Sequence, residues 1–201
     1  MNVVIIPEDS RYDRLILEPI LTQLFISLNK KNTRFYFDDD ARRRGVSQTL
    51  DVDNLKLAIA RFKHLQGAVV LLIVDRDGHN GRSGMTNRLA RLANLKKAIG
   101  VDDFFPSEKF FAVAAVEELE AWVLAGIFSQ LPRDWNWKQI QAEISVKEIY
   151  FDRHAKTLGL AGTPDGGRKI LGMQAAANLP AILDKCEELK ILAAQLKEHL
   201  S

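Results

Sequence analysis

Apolar residues run unbroken from Val3 to Ile6 and again from Ala68 to Val74, and both runs end in acid. Pro7-Glu8-Asp9 follows the first, and Asp75-Arg76-Asp77-Gly78 follows the second. A short, β-branched, wholly apolar run predicts a strand covered on both faces, as in the middle of a parallel sheet. Thr33 to Phe37 and Phe110 to Val116 are two further strand candidates. Between them apolar residues recur at helical spacing. Ile16, Ile20, Leu24 and Leu28 mark one helix, with Asp9 or Ser10 placed to cap it and Pro19 placed to kink or split it. Leu55, Ile59 and Phe62 mark a second, and Leu89, Leu92, Leu95 and Ile99, closed by Gly100, a third. Glu117 to Trp122 opens a fourth that ends near Gly126, and the polar stretch from Asp38 to Thr49 reads as a loop.

Strands alternating with helices predict an α/β protein. The expected form is Rossmann-like: a mostly parallel four-stranded sheet with helices on both faces. Beyond Gly126 the pattern changes. Pro132, Pro164 and the cluster Gly159, Gly162, Gly166, Gly167 and Gly172 predict short helices and loops, not a second sheet. Asp184 to Leu200 returns to helix, with Leu189, Leu192 and Leu196 on one face and Asp184/Glu187 as a capping pair. The expected division is an α/β domain over 1–128 and a helical extension over 129–201 packed on it as one unit. Trp135 and Trp137 are placed to pack that extension down, and Trp122 reads as core.

Composition narrows the class. The chain has 201 residues, 47% of them hydrophobic and 27% charged, enough to bury a proper core. Lys and Arg total 28 against 26 Asp and Glu, which excludes a polycation or an acidic tail protein while leaving room for a local basic surface. The single cysteine, Cys186, excludes a disulfide framework and a Cys-x-x-Cys motif and reads as a small buried residue. No apolar run is long enough to span a membrane, and MNVVIIPEDS lacks the basic start of a signal peptide, so the expected location is cytoplasmic.

The candidate chemistry lies at the strand ends. In an open parallel sheet, ligands collect beyond the carboxyl ends of the strands, and here those ends carry Glu8 and Asp9, Asp75 and Asp77, and Glu117, Glu118 and Glu120. Hard divalent cations take carboxylate oxygens together with water and substrate phosphate. Asp75 and Asp77 can face one Mg²⁺ or Mn²⁺ ion, with Glu8 completing the site or moving a proton. Strand-end acids also cap helices, the reading preferred for Asp9 and for Glu117 taken singly. Arg76, Arg82 and Arg88 follow Asp75 closely, with Arg91, Lys96 and Lys97 beyond and Arg42-Arg43-Arg44 in the earlier loop. The first three are candidate phosphate contacts, although Arg76 could equally bridge the two aspartates; Lys96 and Lys97 read as a solvated face. His79 and Asn80 could line the same mouth, and His154, Lys156, Arg168 and Lys169 form a candidate lid.

A strand ending in Glu, then a strand ending in Asp-x-Asp, resembles the Toprim domain of topoisomerases, bacterial primases and related nucleases. The matching residues are Glu8, Asp75 and Asp77. VDRDG, a basic helix and AVEELEAWVLAG together are similar to small prokaryotic Toprim-like proteins of unassigned function, with weaker likeness in PDGGRKILG and CEEL. The resemblance implies phosphodiester chemistry dependent on Mg²⁺ or Mn²⁺, a nucleic acid or nucleotide partner, and Glu120 as a further metal ligand. No domain offers a topoisomerase tyrosine or primase modules, so the enzymatic expectation is a nuclease; a role in defence against foreign DNA is an analogy with the family. The alternative is a non-catalytic Toprim-like module that binds a nucleotide or a protein. A receiver domain fits poorly, because Asp75-x-Asp77 replaces the lone aspartate it needs.

Overall fold

The computed structural model describes residues 1–40, 45–76, 84–100 and 104–200, without the side chains of Val46 and of residues 84–89. Strands β1 (Asn2–Pro7), β2 (Arg34–Phe37), β3 (Val69–Asp75) and β4 (Phe110–Ala115) form one sheet in the order β2-β1-β3-β4. Every pairing is parallel. The unbroken apolar runs are the two central strands, as their lack of alternation requires. Val3 pairs with Val69 and Pro7 with Ile73, while Asp75 pairs with Ala115, so β1, β3 and β4 end almost level.

Side chains alternate between two cores. Val4, Ile6, Val70, Leu72 and Val74 face α3 (Val52–Arg61) and α4 (Gly84–Gly100), meeting Leu55, Ile59, Leu92, Leu95 and Ile99. Val3, Ile5, Val69, Leu71 and Ile73 face the other way. That larger core is built with α1 (Asp13–Ser27), α5 (Glu120–Gly126), α8 (Arg168–Ala176), α9 (Leu179–Lys185) and α10 (Glu187–Leu200). The short helices α6 (Trp137–Ala142) and α7 (Asp152–Thr157) add Ile140 and Ala155 to the same core, so the helices beyond residue 128 are part of the layer covering the sheet. No helix among the described residues is long and apolar enough to cross a membrane.

Local differences from the sequence reading have identifiable causes. The first helix begins at Asp13, and neither Asp9 nor Ser10 caps it with a side chain. Instead Asp13 Oδ2 reaches back to accept the backbone N–H of Asp9 at 2.7 Å. Pro19 does not split α1, which runs through it. A proline removes one N–H, so Leu15 O loses its helical partner four residues on. Gly172 of α8 meets α1 at that carbonyl: a Cβ on Gly172 would lie 2.8 Å from Leu15 O. The presumed loop from 38 to 49 holds a helical turn, α2 (Val46–Thr49), and its Asp38 is buried against Arg61, Nη1 to Oδ1 2.9 Å. The terminal helix is broken at Cys186, which is extended, so α9 and α10 are separate. Trp122 is fully buried and Trp135 nearly so, packed edge-on to Tyr150.

Alpha-8 is a wedge of small residues. Gly172 contacts α1, and Ala175 lies so close to Gly126 of α5 that a Cβ there would come within 2.6 Å of its Cα. We expect Gly172→Ala and Gly126→Ala each to lower stability by about 1–3 kcal/mol, since backbone atoms cannot yield, despite the helical preference for alanine. Gly162→Ala, where nothing lies within 4 Å, serves as the control and should leave the urea midpoint nearly unchanged.

Candidate active site

Beta-1 and β3 are neighbours whose crossovers leave in opposite directions, β1 to β2 and β3 to β4. Such a switch point opens a crevice at the carboxyl ends of the strands. Glu8 follows β1 at this crevice and Asp75 ends β3 beside it. Three helices also begin here, and their first residues are Asp13 of α1, Glu120 of α5 and Arg168 of α8.

The backbone after β4 determines how Asp75 is held. Glu117 is left-handed (φ 61°), a rare conformation for a residue with a Cβ, and its side chain is fully buried. The reversal aims the N–H of Leu119 at Asp75 Oδ1, 2.8 Å away. Asp75 thus does what a helix cap does, and does it from a neighbouring strand. Glu188, in the CEEL segment, secures the same turn by accepting Val116 N–H at 3.2 Å and Trp122 Nε1–H at 2.7 Å.

Burial raises the pKa of Asp75 well above the ordinary range, and the charges of Asp13, Glu120 and Glu8 raise it further against the lowering effect of the Leu119 N–H. Asp13 is pushed up to about 7, chiefly by burial, with Glu120, Asp9 and Glu8 adding repulsion against the Asp9 N–H. The Arg168 guanidinium stands among them. Arg168 Nη2 lies 2.6 Å from Glu120 Oε1, with both side chains largely buried at 13% and 8% exposure. Its guanidinium also lies 5.3 Å from the ring centre of Tyr12 and 5.8 Å from that of Phe151.

The structure therefore brings Glu8, Asp75 and Glu120 to one edge and adds Asp13 and Arg168. Glu120 is buried, as Trp122 is. The helix opens at Glu120 itself, and residues 117–119 form a turn, so helical facing does not extend back to Glu118. Glu118 lies apart, accepting Lys147 N–H at 2.6 Å, and burial pushes it up to about 7. Arg76 donates its backbone N–H to Ala115 O, and its buried Nε has no hydrogen-bond partner among the described residues. Asp77, His79, Asn80, Arg82 and Arg42 to Arg44 lie outside the described residues, as does the side chain of Arg88. Lys96 and Lys97 are exposed on α4. Of the lid candidates only Arg168 reaches the acids: His154 is buried beside Trp135, while Lys156 and Lys169 are exposed.

Among the described residues, no group of three or more Asp, Glu, His or Cys side chains converges tightly enough to hold a metal ion by itself. The donor set nonetheless suits a hard cation. Its donors are carboxylate oxygens whose mutual repulsion raises Asp75 and Asp13, and Mg²⁺ commonly takes only one or two carboxylates beside water and phosphate. Asp13 carried no sequence signal beyond being an acid in a helix's first turn.

Because Asp13 titrates near 7 when folded and near 3.8 otherwise, folding favours its protonated form. That contribution is complete below about pH 4 and is lost as pH rises through 7. We expect the wild-type thermal midpoint to fall between pH 5 and pH 8, and Asp13→Asn, which keeps an acceptor for Asp9, to flatten that fall. An unchanged slope in the variant would remove Asp13 as its source.

Comparison with protein-family models, with curated proteins and with solved structures found no match, so the functional reading rests on this site and on the motifs that build it.

Proposed function

We propose that this chain is a Toprim-type nuclease, hydrolysing phosphodiesters of nucleic acid with Mg²⁺ or Mn²⁺ as cofactor. The observation that carries the proposal is the placing of Glu8 and Asp75 at the β1/β3 switch point, with Asp13 and Glu120 near enough for their charges to hinder the ionisation of Asp75. The four-stranded parallel sheet is the architecture the resemblance implies.

Asp75 and Glu8 are the residues proposed to hold the cation, with Asp77 two positions on and Glu120 opposite. Bound there, the ion would polarise a phosphoryl oxygen and make water a better nucleophile. Asp75 is oriented by Leu119 N–H, which it accepts through Oδ1 at 2.8 Å. Glu8 is proposed to take a proton from the attacking water. Arg76, Arg82 and Arg88 are proposed to contact the phosphate chain, contacts that carry no sequence preference. The ion pair of Glu120 with Arg168 favours a second reading, a non-catalytic module that binds a nucleotide or a protein, because that carboxylate already has a counter-charge.

We expect Mn²⁺ or Mg²⁺ to raise the thermal midpoint, saturation at a hundred times Kd being worth about 2.7 kcal/mol. Asp75→Asn and Asp77→Asn should each remove the rise, and Asp75→Asn should leave the cation-free protein as stable as wild type or more so. The same substitutions should abolish cleavage of DNA or RNA. No rise with either ion would overturn the cation-dependent reading, and a rise without cleavage by wild type would select the binding module.

A further inference from the structure

Beta-4 is an edge of the sheet, and both ends of that edge are closed. Ala115 O accepts the N–H of Arg76 at 2.9 Å, so the backbone groups of Ala115 face β3. Backbone direction alternates along a strand, so those of Phe110, Ala112, Ala114 and Val116 face outward. The Phe110 N–H donates to Ser107 O, and the Val116 N–H donates to Glu188 Oε1 at 3.2 Å. Between them, nothing among the described residues pairs with the outward N–H and C=O of Ala112 and Ala114.

These groups lie on the floor of a groove of about 300 Å³. Its walls are α4, through Leu92, Ala93 and Lys96, and α10, through Ile191, Leu192 and Gln195. Proteins protect sheet edges by keeping them short or charged. Beta-2, at the opposite edge, has four residues and an exposed Arg34. Beta-4 has six residues with neither a charge nor a proline, and Ile191 beside it is 49% exposed. A strand edge that offers donors and acceptors in alternation is matched by another extended backbone.

Two occupants meet that demand: β4 of a second copy, or an extended segment of another protein. Charge decides between them. Alpha-4 carries Arg88, Arg91, Lys96 and Lys97 and no acid. A two-fold axis pairing β4 with itself would set α4 beside α4, like charge against like. A separate peptide avoids this, and its side chains would alternate between the two walls. Apolar ones would meet Ile191 and Leu192, and acidic ones would reach Lys96, which stands 5.7 Å from the Phe111 ring centre. The groove's own acid, Glu188, is engaged by Val116 N–H and Trp122 Nε1–H.

We propose that the β4 edge binds an extended peptide segment of a partner protein, apolar and acidic at alternating positions, as an added strand. The inference is independent of the phosphodiesterase reading and needs neither metal nor nucleic acid. The probe is a fluorescein-labelled peptide, Ser-Val-Glu-Val-Glu-Val-Ser with a blocked C-terminus, followed by fluorescence polarisation on the full chain. We expect saturable binding with a Kd of about 100 μM or tighter. The same peptide with lysine for glutamate should bind about tenfold more weakly, and one with methylated backbone nitrogens should not bind. Ala112→Pro removes an outward N–H where an edge strand tolerates proline, and should abolish binding while the thermal midpoint holds. Lys96→Glu should invert the preference between the glutamate and lysine peptides, and it preserves the test if Ala112→Pro fails to fold.

No saturation by about 1 mM, or binding untouched by both substitutions, would overturn the assignment. So would equal binding of the glutamate and lysine peptides. Sedimentation of the peptide-free protein as a dimer that Ala112→Pro dissociates would overturn it in favour of the second copy.

Discussion

The structure depends on covering both faces of two adjacent parallel strands. Past Asn2 at the start of β1, neither β1 nor β3 carries a polar side chain before its carboxyl end, so neither face can meet water. Helices α3 and α4 cover one side. The other needs α1 and α5 together with α8, α9 and α10. The last three helices complete the coat of the sheet, and this requirement also brings the N-terminus of α8 to the strand ends.

That arrangement accounts for the electrostatics of the crevice. Helix N-termini tolerate acids, and α1 and α5 each present one there. Packing withdraws them from water faster than their dipoles can compensate, and Asp75 and Asp13 resist ionisation as a result. Arg168 offsets part of the charge from the opposite side. An accumulation of like charge in a core-adjacent crevice is a poor solution for stability alone, which is why it directs attention to ligands of opposite sign.

Much of this was legible in the sequence, for reasons that also explain the rest. The strands were visible because full burial demands unbroken apolar runs, and Glu8 and Asp75 because acid follows those runs directly. Asp13 was not visible, since its environment comes from helices far away in sequence. Glu120 was visible as one of three acids after the last strand, and only the resemblance set it apart as a metal ligand; its burial depends on where α5 begins, and that follows the left-handed Glu117, for which sequence offers no rule. Of the two effects expected of Pro19 the split does not occur, since α1 runs through it and the carbonyl deprived of its N–H partner faces another helix. Arg168 stood among several basic residues near glycines, and only the packing distinguishes it from Lys156 and Lys169.

The contact between Pro19's turn and Gly172 sets the mechanical precision of the crevice. Where helices meet through long side chains, rotamer changes let their spacing drift. Alpha-1 and α8 meet through backbone, a carbonyl on one side and a bare Cα on the other, which leaves almost no adjustable material between them. Asp13 lies less than two turns from that contact on one helix and Arg168 one turn from it on the other. Their separation is therefore gauged by covalent geometry, so the charge balance of the crevice can change by moving a proton or a side chain without the helices themselves having to slide.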